Sequence, residues 1–318
     1  MLSYRHGFHA GNPADVLKHA VLVFCLDYLR QKEKPFLCVD THAGAGSYPL
    51  LEGFAAKNRE WEGGIARLGG GRGAPAMLRL YRELAGFPEE IGKPEPPGVS
   101  PAARSGQEGV RDYAYPGSPA LMARLLRPRD RGICFELHPG DFAALNRLLG
   151  GDRRFTLRRE DGFAGLRAFL PPPSRRGLVF IDPSYELKED YARLRETLAE
   201  ALRRFSTGIY IVWYPLLEND PRPGTGEGSL GSSLGSSLGS CSLGDSLLGL
   251  YRGNRCNIEL YTGSSGKGHN SPRGFYGSGM AIYHPPWPLD EALRESLPFL
   301  GETVGTGPEG WRLRIHRG

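Results

Sequence analysis

The chain has 318 residues, 40% hydrophobic and 24% charged, the composition of an ordinary globular protein with enough apolar material for a packed core. Net charge is +5 and only seven of the 40 basic residues are lysines, an arginine bias that suits phosphate forks but does not by itself decide for nucleic acid. No apolar run nears the roughly 20 residues needed to span a bilayer, and the five cysteines are scattered with no C-x-x-C pair, which argues against a disulfide framework or a structural zinc; a cytoplasmic protein without metal or membrane contact is expected.

Before the first apolar run, Tyr4, Arg5, His6, His9, Asn12, Lys18 and His19 crowd into nineteen residues. Two histidines three apart could suggest a metal, but no acid or cysteine nearby completes a ligand set. The block reads either as a helix cap with surface residues or as a tail that closes over a cofactor and touches RNA. PFLCVD (35–40) follows as a first strand, with Asp40-Thr-His-Ala-Gly44-Ala-Gly46 as its turn. Residues 50–131 are far more than one crossover needs. They hold a helical piece (75–86), the Pro/Gly-rich stretch 92–109 and YAYPGSPALMARLLR, and read as an inserted helical subdomain with a loop. GICFEL (132–137), RFTLRRED (154–161), GLVFID (177–182), GIYIVWYP (208–215), NIELYT (257–262) and GMAIYHPP (279–286) read as further strands, with helix-compatible segments at 140–150 and 187–205. Within 221–249 the repeat SLGSSLGSSLGS cannot bury a core, and the segment reads as a flexible Gly/Ser/Leu-rich insert.

Strands alternating with helices indicate a parallel, doubly wound α/β sheet in a single domain over 1–318. Such sheets bind ligands at the carboxyl ends of their strands, near the switch in strand order, so the acids ending these runs should converge. Gly44 and Gly46 let backbone approach a small ligand, but the third glycine of a dinucleotide fingerprint and the G-K-[ST] of a P-loop are both missing. Glu136 can accept from both hydroxyls of a ribose, and Asp161, followed by Gly162, from an adenine amine. Singly, each is equally a polar strand end. Together they indicate a nucleoside.

Ile181-Asp182-Pro183-Ser184-Tyr185 joins a carboxylate, a rigid proline and an aromatic on one turn. Asp182 and the Pro183 carbonyl can accept both protons of an exocyclic amine while Tyr185 stacks on the ring. The turn suits an adenine in RNA, an adenine in DNA or a planar glutamine amide in protein. A non-catalytic RNA-binding protein on a degenerate scaffold also stays open. The basic and aromatic amino-terminal block favours RNA.

MLSYRHGFHAGNPADVLKHA, KPFLCVDTHAGAG, EGGIARL, YPGSP, ELHPGD, DGF, SRRGLVFIDPSYE, TGIYIVWYP and SGMAIYHPPW together resemble the ribosomal RNA large subunit methyltransferase J family, the 23S rRNA adenine-N6 methyltransferases. The similarity spans nearly the whole chain except about 90–110 and 220–250. It implies a Rossmann-like class I S-adenosylmethionine-dependent methyltransferase fold with an inserted helical subdomain, and transfer of one methyl to adenine N6, at adenine 2030 for the family. Carried over by position, His19, His42, Ser118, Glu136, Asp161 and Gly162 would contact S-adenosylmethionine. Asp182 would be catalytic, and Tyr4 would meet the RNA. The resemblance also implies no metal requirement and a preference for naked or partly assembled rRNA; a monomer is expected. The family has Asp/Asn-Pro-Pro-aromatic where this chain has Ser184. Serine restores a backbone N–H and removes the ring that fixes φ, which predicts reduced preorganisation rather than loss of activity.

Overall fold

Asn12 starts the first long helix, α1 (Pro13–Arg30): its side chain accepts from the Asp15 N–H, and Pro13 occupies the first helical position. The structure, a computed structural model, describes residues 5–69, 73–88, 113–217, 243–263, 275–307 and 310–318. Ahead of α1 lies a single 3₁₀ turn, His6–Phe8. The chain continues through β1 (Leu37–Asp40), β2 (Ser47–Pro49), α2 (Ala55–Asn58), α3 (Ala76–Ala85), β3 (Ala114–Pro116) and α4 (Ser118–Leu125). Next come β4 (Arg131–Phe135), α5 (Pro139–Leu149), β5 (Phe155–Arg158), α6 (Gly162–Gly165), β6 (Gly177–Ile181), α7 (Glu189–Arg204) and β7 (Ile209–Leu217). After them stand α8 (Leu243–Leu248), β8 (Arg255–Tyr261), β9 (Phe275–Tyr283), α9 (Leu289–Thr303) and β10 (Trp311–His316).

Eight strands form one sheet in the order β10-β8-β9-β7-β6-β1-β4-β5. The five from β5 to β7 run parallel. β6, GLVFI, is buried at every position, as a central parallel strand covered on both faces must be. The chain leaves β1 towards β4 and β5, then returns to β6 on the other side. That reversal opens a crevice at the carboxyl ends of β1, β4 and β6.

The reading of the sheet as parallel needs correction beyond β7. β9 inserts antiparallel between β7 and β8, and β10 pairs antiparallel with β8. The sequence between β8 and β9, rich in Gly and Ser, carries no helical pattern for a parallel crossover, and antiparallel pairing does not need one. The short antiparallel pair β2–β3 lies outside the main sheet.

Of residues 50–131, α2, α3, β3 and α4 are described, with α3 packing on α1; residues 89–112 fall outside the described residues. Of the 221–249 segment, 221–242 falls outside them. Its end is the helix α8, with Leu247 and Leu248 buried, so the flexible reading does not extend over 243–248.

Candidate active site

At the carboxyl end of β1 the turn carries two glycines at positive φ, Gly44 (61°) and Gly46 (78°). A Cβ on Gly44 would collide with the Tyr48 hydroxyl, so the backbone there sits where only glycine fits. The Gly44 N–H donates to Glu136 Oε2 at 2.8 Å, and the His138 N–H to Oε1 at 2.6 Å. Two loops are thereby tied through one carboxylate just past β4. Burial raises the Glu136 pKa against these bonds. Beneath the turn, fully buried Asp40 accepts from Ser118 Oγ (2.6 Å) and the His42 N–H (3.1 Å), and burial raises its pKa to about 7.

Asp161 caps α6 by accepting from the Phe163 and Ala164 N–H groups, and Arg193 on α7 forms an ion pair with it. Burial raises the Asp161 pKa, but Arg193 and the capping bonds outweigh it, and the net shift is down. Gly162 packs directly against β1, since a Cβ would collide with the Thr41 carbonyl.

Asp182 follows β6. Its Oδ2 lies 2.6 Å from Lys18 Nζ, whose other partner is Asp15 Oδ1 at 2.9 Å. Burial disfavours the Lys18 charge, yet the two carboxylates outweigh it and the ammonium pKa is raised. Asp15 Oδ2 lies 3.1 Å from His6 Nε2 and accepts from the Gly11 N–H, which fastens the 3₁₀ turn to α1. The Lys18 ammonium also sits 5.3 Å from the Trp213 ring centroid.

Gly44, Ser118, Glu136, Asp161 and Asp182 line one cavity of about 240 Å³. Of the residues the sequence singled out, His19, His42, Gly44, Ser118, Glu136, Asp161, Gly162, Asp182 and Pro183 lie on its wall, with Ser184 beside them. Gly46 is set behind the wall, where a Cβ would press on Leu145 and Leu148. Tyr4 falls outside the described residues. Tyr185 is a correction. Its φ of +54° turns the side chain off the wall, the ring packs on Tyr191 and Trp213, and the hydroxyl donates to the Trp213 carbonyl at 2.5 Å. An apolar ring within reach of a core gains more by burial than at a wet rim.

Burial lowers the pKa of both His19 and His42 to about 4, so both imidazoles are neutral near pH 7. His42 packs edge-on against Phe163, and its Nδ1 bonds Thr41 Oγ1 at 2.8 Å. Behind His19 runs a buried chain: Nδ1 is 2.7 Å from the Tyr115 hydroxyl, itself 2.7 Å from that of Tyr81. Tyr81 has no other acceptor among the described residues, so every buried hydroxyl donates only if Tyr81 donates to Tyr115 and Tyr115 to Nδ1. The His19 proton is then on Nε2.

Lys18, Asp15 and His6 were visible in the amino-terminal block but not assignable, because Lys18 and Asp182 are 164 residues apart in sequence. The available signal was a lysine and an aspartate three apart, both buried, near the start of a mostly apolar helix.

A family model described as "Ribosomal RNA large subunit methyltransferase D, RlmJ" matches residues 33–86 and 103–221. Curated relatives named ribosomal RNA large subunit methyltransferase J are similar in sequence. The Escherichia coli protein is 38% identical over 312 residues and the Haemophilus influenzae protein 36% over 310, each match covering 96% of both chains. The crystal structure of a Legionella pneumophila protein superposes with a TM-score of 0.73 at 29% identity, covering 98% of each chain. The fold is that of a Rossmann-like methyltransferase, and the protein is an enzyme of that class. The chain belongs to the ribosomal RNA large subunit methyltransferase J family.

Proposed function

We propose that the chain transfers a methyl group from S-adenosylmethionine to the N6 amine of one adenine in 23S ribosomal RNA, the large-subunit substrate being the class its relatives' names give. The observation that carries this reading is that Asp182 shares one cavity with Gly44, Glu136 and Asp161. The wall residues fit a nucleoside cofactor with an amino-acid tail. Glu136, fixed by two N–H donors, has lone pairs left for ribose hydroxyls. Gly44 leaves the space a side chain would fill. Asp161 can accept from an adenine amine, and an Nε2–H on His19 suits a carboxylate. Ser118 and His42 complete the cofactor's surroundings.

When bound, S-adenosylmethionine supplies an electrophilic methyl on a positively charged sulfur. Asp182 and the Pro183 carbonyl hold the two amine protons of the target adenine and so aim the nitrogen lone pair. Lys18 is a positioning residue: held between Asp15 and Asp182, it fixes the carboxylate without touching the base. Asp182 would then take the proton the amine sheds as the nitrogen–methyl bond forms and the methyl–sulfur bond breaks, its electron pair staying on sulfur as a neutral thioether. Ser184 leaves both acceptors in place and relaxes only the rigidity of the turn. The substrate is naked or partly assembled large-subunit rRNA, the working form a monomer in the cytoplasm, Tyr4 an RNA contact, and the family's adenine 2030 the target. Methyl transfer from labelled cofactor, run side by side on 23S rRNA transcript, duplex DNA and a glutamine-bearing protein factor, tests this. Label in N6-methyladenine of the transcript alone supports it; label in DNA or protein but not rRNA overturns it.

A further inference from the structure

Phe54 keeps 41% of its surface exposed just ahead of α2. An exposed phenylalanine alone is unremarkable. This one has company. The Phe8 ring packs against it at 4.7 Å between centroids, and the Arg5 guanidinium and Lys57 ammonium approach its ring to 5.6 and 5.7 Å.

Two links tie the cluster to the rim of the cavity. Arg5 also bonds Asp141 at 3.0 Å, and Asp141 is on the cavity wall. Phe8 closes the 3₁₀ turn that begins with His6, another wall residue. Lys57 is exposed and has no acid within ion-pair distance among the described residues, so its charge stays available to a ligand. A half-exposed ring backed by a second ring, with a lysine over it that pairs with no acid among the described residues, combines a face for a base with a charge for its phosphate.

We propose that Phe54 is a stacking platform for an unpaired RNA base flanking the methylated adenine, with Lys57 on the adjoining phosphate. The proposal rests on the RNA reading above and adds to it a second binding point outside the cavity. Holding the flanking strand there feeds the target base inward without touching the methyl-transfer groups.

The test is steady-state methylation of a 23S rRNA fragment by the full chain, with cofactor affinity measured in parallel. Phe54→Leu keeps apolar packing on Phe8 but removes the aromatic face. It should raise KM for RNA about tenfold, within the range of one lost base stack, and leave kcat and cofactor Kd unchanged. Phe54→Tyr should restore KM. Lys57→Gln should lower the slope of log affinity against log salt by about one unit. An active wild type whose Phe54→Leu variant keeps its RNA KM, or loses cofactor affinity by the same factor, overturns this proposal alone. A wild type inactive on RNA overturns the functional reading and the platform with it.

Discussion

Lys18 stands with its ammonium 2.6 Å from Asp182 and 2.9 Å from Asp15, its side chain only 5% exposed. Removing it strands two carboxylates in a poorly solvated place, the expensive way to break a buried pair. Lys18→Met should cost about 3 kcal/mol in a denaturant titration, and adding Asp182→Asn should recover part of that loss; simple addition of the two losses would contradict the pairing. The histidines make a second prediction. His19 and His42 titrate near 4 in the folded chain, against about 6.5 when unfolded. Between those values the unfolded state binds more protons, so their contribution is fully present above pH 6.5 and is lost as pH falls towards 4. Buried Asp40, raised to about 7, contributes the opposite slope over the same range. His42→Gln should therefore flatten the fall in Tm between pH 6.5 and 4, and a slope unchanged from wild type would count against the neutral buried imidazole. At this scale Glu136, Asp161 and Asp182 were legible because each closes an apolar run. Lys18 and Tyr185 were not, since long-range pairing and the turn of a backbone at positive φ leave no local mark.

Among the elements, the turns after β1 and β5 meet without side chains between them, Gly162 lying against the Thr41 carbonyl. Gly162→Ala must push those turns apart, and overpacking of this kind costs about 1–3 kcal/mol. Because the same turns carry His42 and Asp161, both Tm and cofactor affinity should drop; a variant with lowered Tm and intact cofactor binding would show that the contact is structural only. Helices α3, α5 and α7 and the first five strands of the main sheet were readable from apolar runs and their spacing, whereas α1 and α9 were not read as helices. β10 was not: WRLRIH is half-buried along most of its length and carries two arginines, Arg312 and Arg314, that reach the buried Glu259. The three-residue strands β2 and β3, each ending in proline, are too short to leave a period.

Over the whole molecule, the order of strands does what no local motif can. It returns the chain past β1 so that loops from four strands and the start of α1 face one crevice. The antiparallel far edge, β9, β8 and β10, extends the sheet away from that crevice and, among the described residues, adds none to its wall. The claim on which this account turns is that Asp182 grips the acceptor amine while separate groups hold the methyl donor. The most direct measurement is Asp182→Ala assayed for methylation of 23S rRNA, with S-adenosylmethionine binding followed by calorimetry on the same preparation. Methylation should be lost with cofactor affinity within a few-fold of wild type. Substantial turnover by that variant, or a joint loss of cofactor binding, would contradict it.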